Sequence, residues 1–416
     1  MSTPEAVAED TLGLAAERID PYALTIIETL RDAGHEAYIV GGGVRDLLLD
    51  ARPKDFDVAT SAHPEAVRKL FRRSRLIGRR FPIVHVLFGR EFIEVTTFRA
   101  QSGEARQVHE SGRILRDSSF GSLAEDAVRR DFTVNALYYD PLDRKVLDFT
   151  DGLADVRARR LRLIGDPATR YREDPVRMLR AVRFAAKLDF EIEEQTAAPL
   201  AELAPLLADI PPARLFEEVC KLFLSGYAGA TFAGLRRHGM FGALFPLSEE
   251  VLAADTGGTL TRFVAGALAS TDARVRANEP VTIAFLLAAF LWPPTSRYAQ
   301  WLEQEEGIGE AAAVQRAIAV VLGESKQRVS IPQRFAMPLR EIVQLQSRFR
   351  YRHGKRAESL LAHPRFRAAY DFLKLRAEVG DAEPVLAEFW DQVQRASGEE
   401  RRKLLAPQHR RGKKKG

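Results

Sequence analysis

Apolar positions follow two different periods along this chain, and the change falls near residue 170. Before it, short β-branched and aromatic runs alternate with helical stretches. A helical period over 22–33 ends at Gly34, and a strand pattern follows over 37–40. Gly41, Gly42 and Gly43 then open a helical stretch through Leu49. Residues 56–59 read as a strand, and 64–73 as a helix with proline in its first turn. Residues 83–88 and 92–98 read as two strands joined by a turn near Gly89. The polar stretch 100–119 reads as a loop, and strand and helix signals resume through Tyr139. Beyond residue 170 no strand pattern stands out. Leu, Ala, Arg and Glu recur there at helical spacing, as in 178–188 and 215–224. The pattern predicts an α+β chain: a head of mixed sheet and helices, then an all-α neck and body. The boundaries expected are a flexible lead-in over 1–20, a head over 21–157, a neck over 158–225, a body over 226–400 and a disordered basic tail over 401–416.

Length and composition agree with several subdomains. The chain has 416 residues with 46% apolar content, enough to bury a core. No stretch approaches the ~18 uninterrupted apolar residues of a membrane span, and the acidic N-terminus lacks the features of a secretory leader. Cys220 is the single cysteine, so no internal disulfide forms and a cytoplasmic location is expected. The net charge is +5, a mild pointer to a polyanionic partner. Its distribution says more. Residues 68–80 hold seven basic side chains and no acid, and 401–415 hold eight and no acid. Between 348 and 367, arginines interleave with Phe349, Tyr351 and Phe366. Arginine neutralises phosphate and aromatics stack on bases, so RNA is the expected partner. The RNA candidates are Arg79, Arg80, Arg350, Arg352, Lys355, Arg356, Arg410, Arg411, Lys413, Lys414 and Lys415.

The sharpest local chemistry lies in YIVGGGVRDLLLDARPKDFDVAT, residues 38–60. A strand–glycine–helix junction aims backbone N–H groups at one point, which favours phosphate. Arg45 adds a positive charge nearby. Asp55 and Asp57 follow on an expected strand, where alternation puts both carboxylates on one face. Paired acids repel unless cations sit between them, so they are natural ligands for a Mg²⁺ pair. Each motif alone is more often a plain turn or a surface pair; together, in a strand–turn–helix–strand context, they point to phosphoryl chemistry.

GGGVRDLLL followed by KDFDVAT resembles the signature of class II nucleotidyltransferases of the polymerase-β superfamily. That family contains bacterial poly(A) polymerases and CCA-adding enzymes. RRDFTVNALYYD (129–140) resembles its second motif, and YREDPVRMLRAVRFAAKL (171–188) its nucleotide-selecting helix. LIGRRFPIVHV (76–86), PPARLFEE (211–218) and GKRAESLLAHPRFRAAYD (354–371) resemble the poly(A) polymerase branch. The resemblance spans about 22–376. It implies a polymerase-β-like head that adds AMP from ATP to RNA 3′ ends without a template. It further implies that Asp55 and Asp57 hold two Mg²⁺ ions, and that Asp131 is a functional acid. Glu94, on the expected strand FIEVTTF, is a further catalytic candidate if a neighbouring strand brings it beside the Asp pair. Gly41, Gly42, Gly43, Arg45 and Arg130 are expected at the triphosphate.

On the helix beginning near Pro175, Arg177, Arg180 and Arg183 follow Asp174 at steps of three. Carboxylate accepts and guanidinium only donates. Asp174 with Arg177 therefore matches the N6 donor and N1 acceptor of adenine and rejects guanine and uracil. Cytosine offers the same pattern, so the pair cannot separate A from C. Arg180 and Arg183 are expected to hold the helix or the triphosphate. Phe81 is read as a base-pocket or core residue, and His85 as a strand residue with an ordinary partner. Two other readings are kept: a CCA-adding enzyme, which shares the catalytic motifs, and a catalytically inactive RNA-binding protein. No histidine adjoins an aspartate, which argues against an appended metal phosphohydrolase. The chain is expected to act as a monomer with RNA and ATP as its partners.

Overall fold

The computed structural model describes residues 3–78, 82–100, 107–108, 114–116 and 120–407. They form two compact units, 1–203 and 204–416.

The first unit is built on an eight-stranded mixed sheet in the order β1-β10-β9-β2-β3-β6-β5-β4. The strands are β1 (Glu5–Ala8), β2 (Ala37–Val40), β3 (Asp57–Thr60), β4 (Ser74–Ile77), β5 (Ile83–Phe88), β6 (Glu91–Thr97), β9 (Leu137–Asp140) and β10 (Lys145–Asp148). A separate two-stranded pair is β7 (Gln107–Val108) with β8 (Ile114–Arg116), inside the stretch read as a loop. Only β3 and β6 run parallel in the large sheet; its other pairs are antiparallel.

The helices of this unit follow from local signals. α1 (Glu9–Leu12) is one turn. α2 (Pro21–Asp32) starts where the Asp20 carboxylate accepts the Tyr22 N–H at 2.7 Å and Pro21 presets the first turn. It buries Ala23, Ile26, Ile27 and Leu30, one stripe at helical spacing. α3 (Gly42–Leu48) and α4 (Pro64–Leu70) flank β3 in sequence, and α5 (Leu123–Arg129) opens on a Ser122–Glu125 capping box. α6 (Gly152–Arg157), α7 (Pro167–Glu173) and α8 (Val176–Leu188) follow, and two single turns, α9 (Glu194–Ala197) and α10 (Leu200–Leu203), end it. α4 ends three residues before the expected limit because Ser74–Ile77 pairs with β5 as a strand.

Two expectations are corrected here. Residues 3–20, most of the stretch expected to be a loose lead-in, are held in place: β1 pairs with β10, and Glu9 is buried, accepting from Tyr139 Oη and Arg144 Nε. A buried carboxylate needs such donors, and they hold the segment on the sheet. Strand also persists beyond residue 170, since β12 (Glu191–Ile192) pairs with β11 (Arg160–Leu161). Two residues are too few to leave a readable alternation.

The second unit is helical. Its longest helix, Ile283–Glu305, carries Pro293 and Pro294 inside it and is buried through most of its length. Among the described residues no helix is long and apolar enough to cross a membrane. A satellite core gathers Phe349, Phe366, Tyr370 and Trp390, and Trp390 Nε1 donates to the Phe349 carbonyl at 2.9 Å. Phe349 and Phe366 are thus core residues and not stacking platforms for RNA. Of the three aromatics singled out, Tyr351 is exposed, with the Arg356 guanidinium 4.8 Å from its ring centre. Arg350 pairs with Glu310, Arg352 lies over Phe389 at 5.7 Å, and Lys355 is exposed. The tail also departs from expectation: Gly398–Leu405 is a helix with Leu405 buried. Its capping box, Ser397 with Glu400, lies just before the basic run. Arg410, Arg411, Lys413, Lys414 and Lys415 lie outside the described residues, as do Arg79, Arg80 and Phe81.

Candidate active site

Gly41 ends β2 at φ +78°, a left-handed conformation open to glycine, and this turns the chain into α3. A Cβ on Gly43 would stand 3.2 Å from Phe56 Cδ1, so glycine lets the helix close on the residue between the two aspartates. Phe56 is buried there, and Asp55 is exposed just ahead of β3. The strand begins only at Asp57, one residue later than expected, so Asp57 alone of the pair belongs to the ladder.

Register then assembles a row across the sheet. Asp57 pairs with Glu94 on β6, Glu94 with His85 on β5, and His85 with Arg75 on β4. Directly opposed residues share a face. His85 Nε2 lies 3.3 Å from Glu94 Oε1, and the imidazole stacks on Phe92 at 4.3 Å. The partner of His85 is therefore the candidate catalytic glutamate. Burial pushes the Asp57 carboxyl up to about 6, with Glu94 and then Asp55 adding to the rise and Arg130 opposing it. Asp57 is a half-buried acid pressed by two neighbouring carboxylates. Among the described residues no group of three or more His, Cys, Asp or Glu side chains is placed to hold a metal ion.

Arg130 is the cation that faces this cluster. Its Nε donates to Tyr138 Oη at 2.9 Å and its Nη2 to Asp126 Oδ2 at 3.1 Å. Burial disfavours its charge, yet Tyr138 and Asp126 hold its pKa above the ordinary arginine value. Its Nη1 lies 3.5 Å from where a Cβ on Gly41 would stand. The guanidinium thus sits between the glycine turn and Asp57. A cleft of about 220 Å³ shares it, lined by Thr96, Arg99, Asp126, Arg129 and Arg130. Arg170 braces the segment: its Nη2 donates to the carbonyls of Arg129 and Arg130, each at 2.7 Å. Sequence reading missed Thr96, Arg99, Asp126, Arg129, Tyr138 and Arg170. Asp126 was within reach, standing one helical turn before Arg130.

Asp131 and Arg45 differ from expectation. Asp131 Oδ2 accepts from Arg180 Nε at 2.7 Å; Oδ1 accepts from the Phe132 N–H at 2.9 Å and from Asn135 Nδ2 at 3.3 Å. Both oxygens face protein donors. Burial alone would raise this carboxyl, but Arg180 and the hydrogen bonds bring it down to about 2. Arg45 is 2% exposed; it pairs with Asp46 at 2.6 Å, donates to Asn135 Oδ1 and lies 5.6 Å from the Phe184 ring centre. It is a strut joining α3 to the segment after Asp131, and its guanidinium is already committed.

Along α8, Val176, Met178, Leu179, Ala181 and Val182 are buried, leaving Arg177, Arg180 and Arg183 on the other side. Arg177 Nη1 donates to the Arg170 carbonyl at 2.7 Å and to Glu173 Oε2 at 3.0 Å. Asp174 Oδ1 accepts the Val176 N–H at 3.4 Å. Arg177 is thus held by Glu173, beside the Asp174 expected to work with it. Arg180 and Arg183 both lie over Phe184, at 5.1 and 4.8 Å from its centre.

Comparison with known proteins identifies the family. Residues 37–162 match the family profile described as Poly A polymerase head domain. Residues 189–252 match the probable RNA and SrmB-binding site of polymerase A, and 306–416 its arginine-rich C-terminus. Poly(A) polymerase I of Salmonella typhi is 46% identical over 415 residues, covering 96% of this chain and 89% of that one. The chain belongs to the bacterial poly(A) polymerase I family. The CCA-adding enzyme of Lactobacillus helveticus is 42% identical over 210 residues, half of each chain. Among solved structures, the Bacillus stearothermophilus CCA-adding enzyme in complex with CTP aligns at TM-score 0.56 and 27% identity, covering 90% of this chain and 82% of that one. The match to the CCA-adding enzyme thus covers half of the chain, and the match to poly(A) polymerase I nearly all of it.

Proposed function

We infer that this chain is a template-independent poly(A) polymerase that transfers AMP from ATP to RNA 3′ ends and releases pyrophosphate. The observation that carries the reading is membership of the poly(A) polymerase I family over nearly the whole chain. The carboxylate row and the Arg130 cleft supply matching chemistry.

Nucleotidyltransferases of this family use ATP and divalent metals. Magnesium, as two ions, is our assignment. The donor set fits: Asp57, raised by burial and by neighbouring Glu94 and Asp55, is relieved when a hard cation sits among them. When bound, the ions lower the pKa of the attacking hydroxyl and neutralise charge on the triphosphate. Asp55 and Asp57 would hold them, with Glu94 a further candidate opposite Asp57. Arg130 and the turn at Gly41–Gly43 hold phosphate oxygens, with Arg99 and Arg129 lining the adjoining cleft. The RNA O3′ bonds to the α-phosphorus as the bond from that phosphorus to the α–β bridging oxygen breaks; pyrophosphate leaves and the hydroxyl proton passes to solvent. Asp131, saturated by Arg180, orients α8 against the head and does not touch the reacting atoms. Cytoplasmic RNA is the substrate pool this reading implies.

Base choice is assigned to the start of α8. Asp174 is the acceptor for adenine N6, and Arg177, held by Glu173, is the donor for N1. Arg177→Ala should lose roughly ten- to a hundredfold of the preference for ATP over GTP and UTP, the cost of one unpaired buried polar group. Single-nucleotide incorporation rates check it, and full selectivity in the variant would remove Arg177 from base reading.

The test of function is short RNA incubated with magnesium and each NTP in turn. A ladder with ATP alone is expected. Addition of C residues followed by one A on truncated tRNA would establish the CCA-adding reading. No incorporation from any NTP would leave the inactive RNA-binding reading.

A further inference from the structure

We propose that a groove on the helix-covered side of the head sheet binds single-stranded RNA upstream of the reacting 3′ end. This rests on the reading that the chain extends RNA. The groove holds about 650 Å³ and lies between α2, the end of α4 and the end of β5. Its floor is aromatic: Tyr22 and Phe88 stack at 4.2 Å with 12° between their planes, and Phe71 lines the wall. Tyr22 is 40% exposed, unusual for a tyrosine already stacked on a neighbour. Its rim is cationic, with Lys69, Arg72 and Arg73, all exposed.

The charge on this rim is not neutralised among the described residues. Arg31, Arg45, Arg130 and Arg180 each pair with a carboxylate. Arg68, Lys69, Arg72, Arg73 and Arg75 form no ion pair among the described residues, and no acid occurs between 68 and 80. Uncompensated cations around exposed aromatic rings are complementary to a chain of phosphates carrying stackable bases. A protein partner would need acids over the same span and has nothing else on this surface to select it.

Placement connects the groove to the site. Phe88 is three residues from His85, so strand alternation turns it to the opposite face, and the distance along β5 is roughly 10 Å. The row Asp57–Glu94–His85–Arg75 ends at β4, the sheet edge. From Asp57 to Arg75 is three strand spacings, roughly 14 Å. RNA whose 3′ end lies at Asp57 meets Arg75 at that edge, then Arg73 and Arg72 behind it. A primer of a few nucleotides ends before the edge, whereas a longer one rounds it.

Oligoadenylates of about six and about twenty nucleotides therefore report on different surfaces. The test measures their affinity for the full chain carrying Arg72→Gln with Arg73→Gln, and separately Tyr22→Ala. The long RNA should lose about tenfold in affinity to the double variant, with its log–log salt slope flattened by about 0.7 for each contact removed. Tyr22→Ala should weaken the long RNA without changing the slope, because stacking releases no counterions. The ratio of long-primer to short-primer extension should fall in both variants. Unchanged long-RNA affinity in both, or an equal loss for both lengths, would overturn the groove assignment. Failure of the polymerase reading shows separately, as no AMP addition by the unsubstituted chain to either primer.

Discussion

Asp57→Ala is expected to reduce AMP addition by roughly 10³-fold or more while leaving RNA affinity near its starting value. Asp57 is the acid that the fold places on the sheet, half-buried, opposite Glu94 and facing Arg130. Removing it takes away the centre of the carboxylate cluster and leaves Arg130 without the acid it faces. Asp55→Ala should be similarly damaging, since Asp55 is the next carboxylate along the same backbone. Glu94→Ala should also fall well below the parent if Glu94 completes the set. Glu94 already has His85 as a partner, so near-normal activity in Glu94→Ala would assign it to that ion pair instead. The measurement is radiolabelled AMP incorporation with magnesium titrated. Substantial incorporation by Asp57→Ala at any magnesium concentration would remove the metal assignment.

The Asp131–Arg180 pair should produce the largest effect on stability. The pair joins the segment after α5 to α8 across 49 positions of sequence, and the Asp131 side chain is 14% exposed. Arg180→Ala leaves a mostly buried carboxylate hydrogen-bonded only by neutral donors, with Arg170 as the remaining nearby cation, which should cost about 2–3 kcal/mol; the figure is reduced from that of a fully buried pair because Arg180 is itself one-third exposed. The sign with pH follows from direction. Folded Asp131 titrates near 2, below its ordinary value, so its contribution is complete above about pH 4 and is lost as pH falls from about 4 to about 2. Denaturant unfolding across that window should show the parent losing roughly 2 kcal/mol more than Asp131→Asn. Parallel pH profiles would mean the pair carries no such linkage. If the pair acts through α8, Arg180→Lys should recover part of the activity lost in Arg180→Ala, with ATP KM moving more than turnover at saturation.

Much of the head was legible along the chain because its signals are local. The glycine turn, the aspartates two residues apart and the arginine spacing of α8 each lie within one or two elements. Period alone is enough to tell strand from helix there. What period cannot encode is which distant element supplies a partner. Glu94 could be placed on a strand face from its own neighbours, but only the parallel register of β3 with β6 brings it to Asp57. Arg45 looked like a phosphate ligand because it follows three glycines; the packed structure spends it on Asp46 and Asn135, the latter 90 residues away in sequence. Asp131 read as a functional acid beside Arg129 and Arg130, and only the folding of α8 brings Arg180 onto it. Phe349 and Phe366 have the same local company as Tyr351, and burial against Trp390 separates them from it. The first twenty residues carry too short an apolar run to announce a strand, yet Glu9 finds Tyr139 and Arg144 more than 100 positions later. The sequence by itself determined the kind of chemistry and the elements that carry it. The tertiary structure decided which charges are consumed in holding those elements together and which are left facing the site, because a charged side chain is satisfied by whatever the fold brings within a few ångströms.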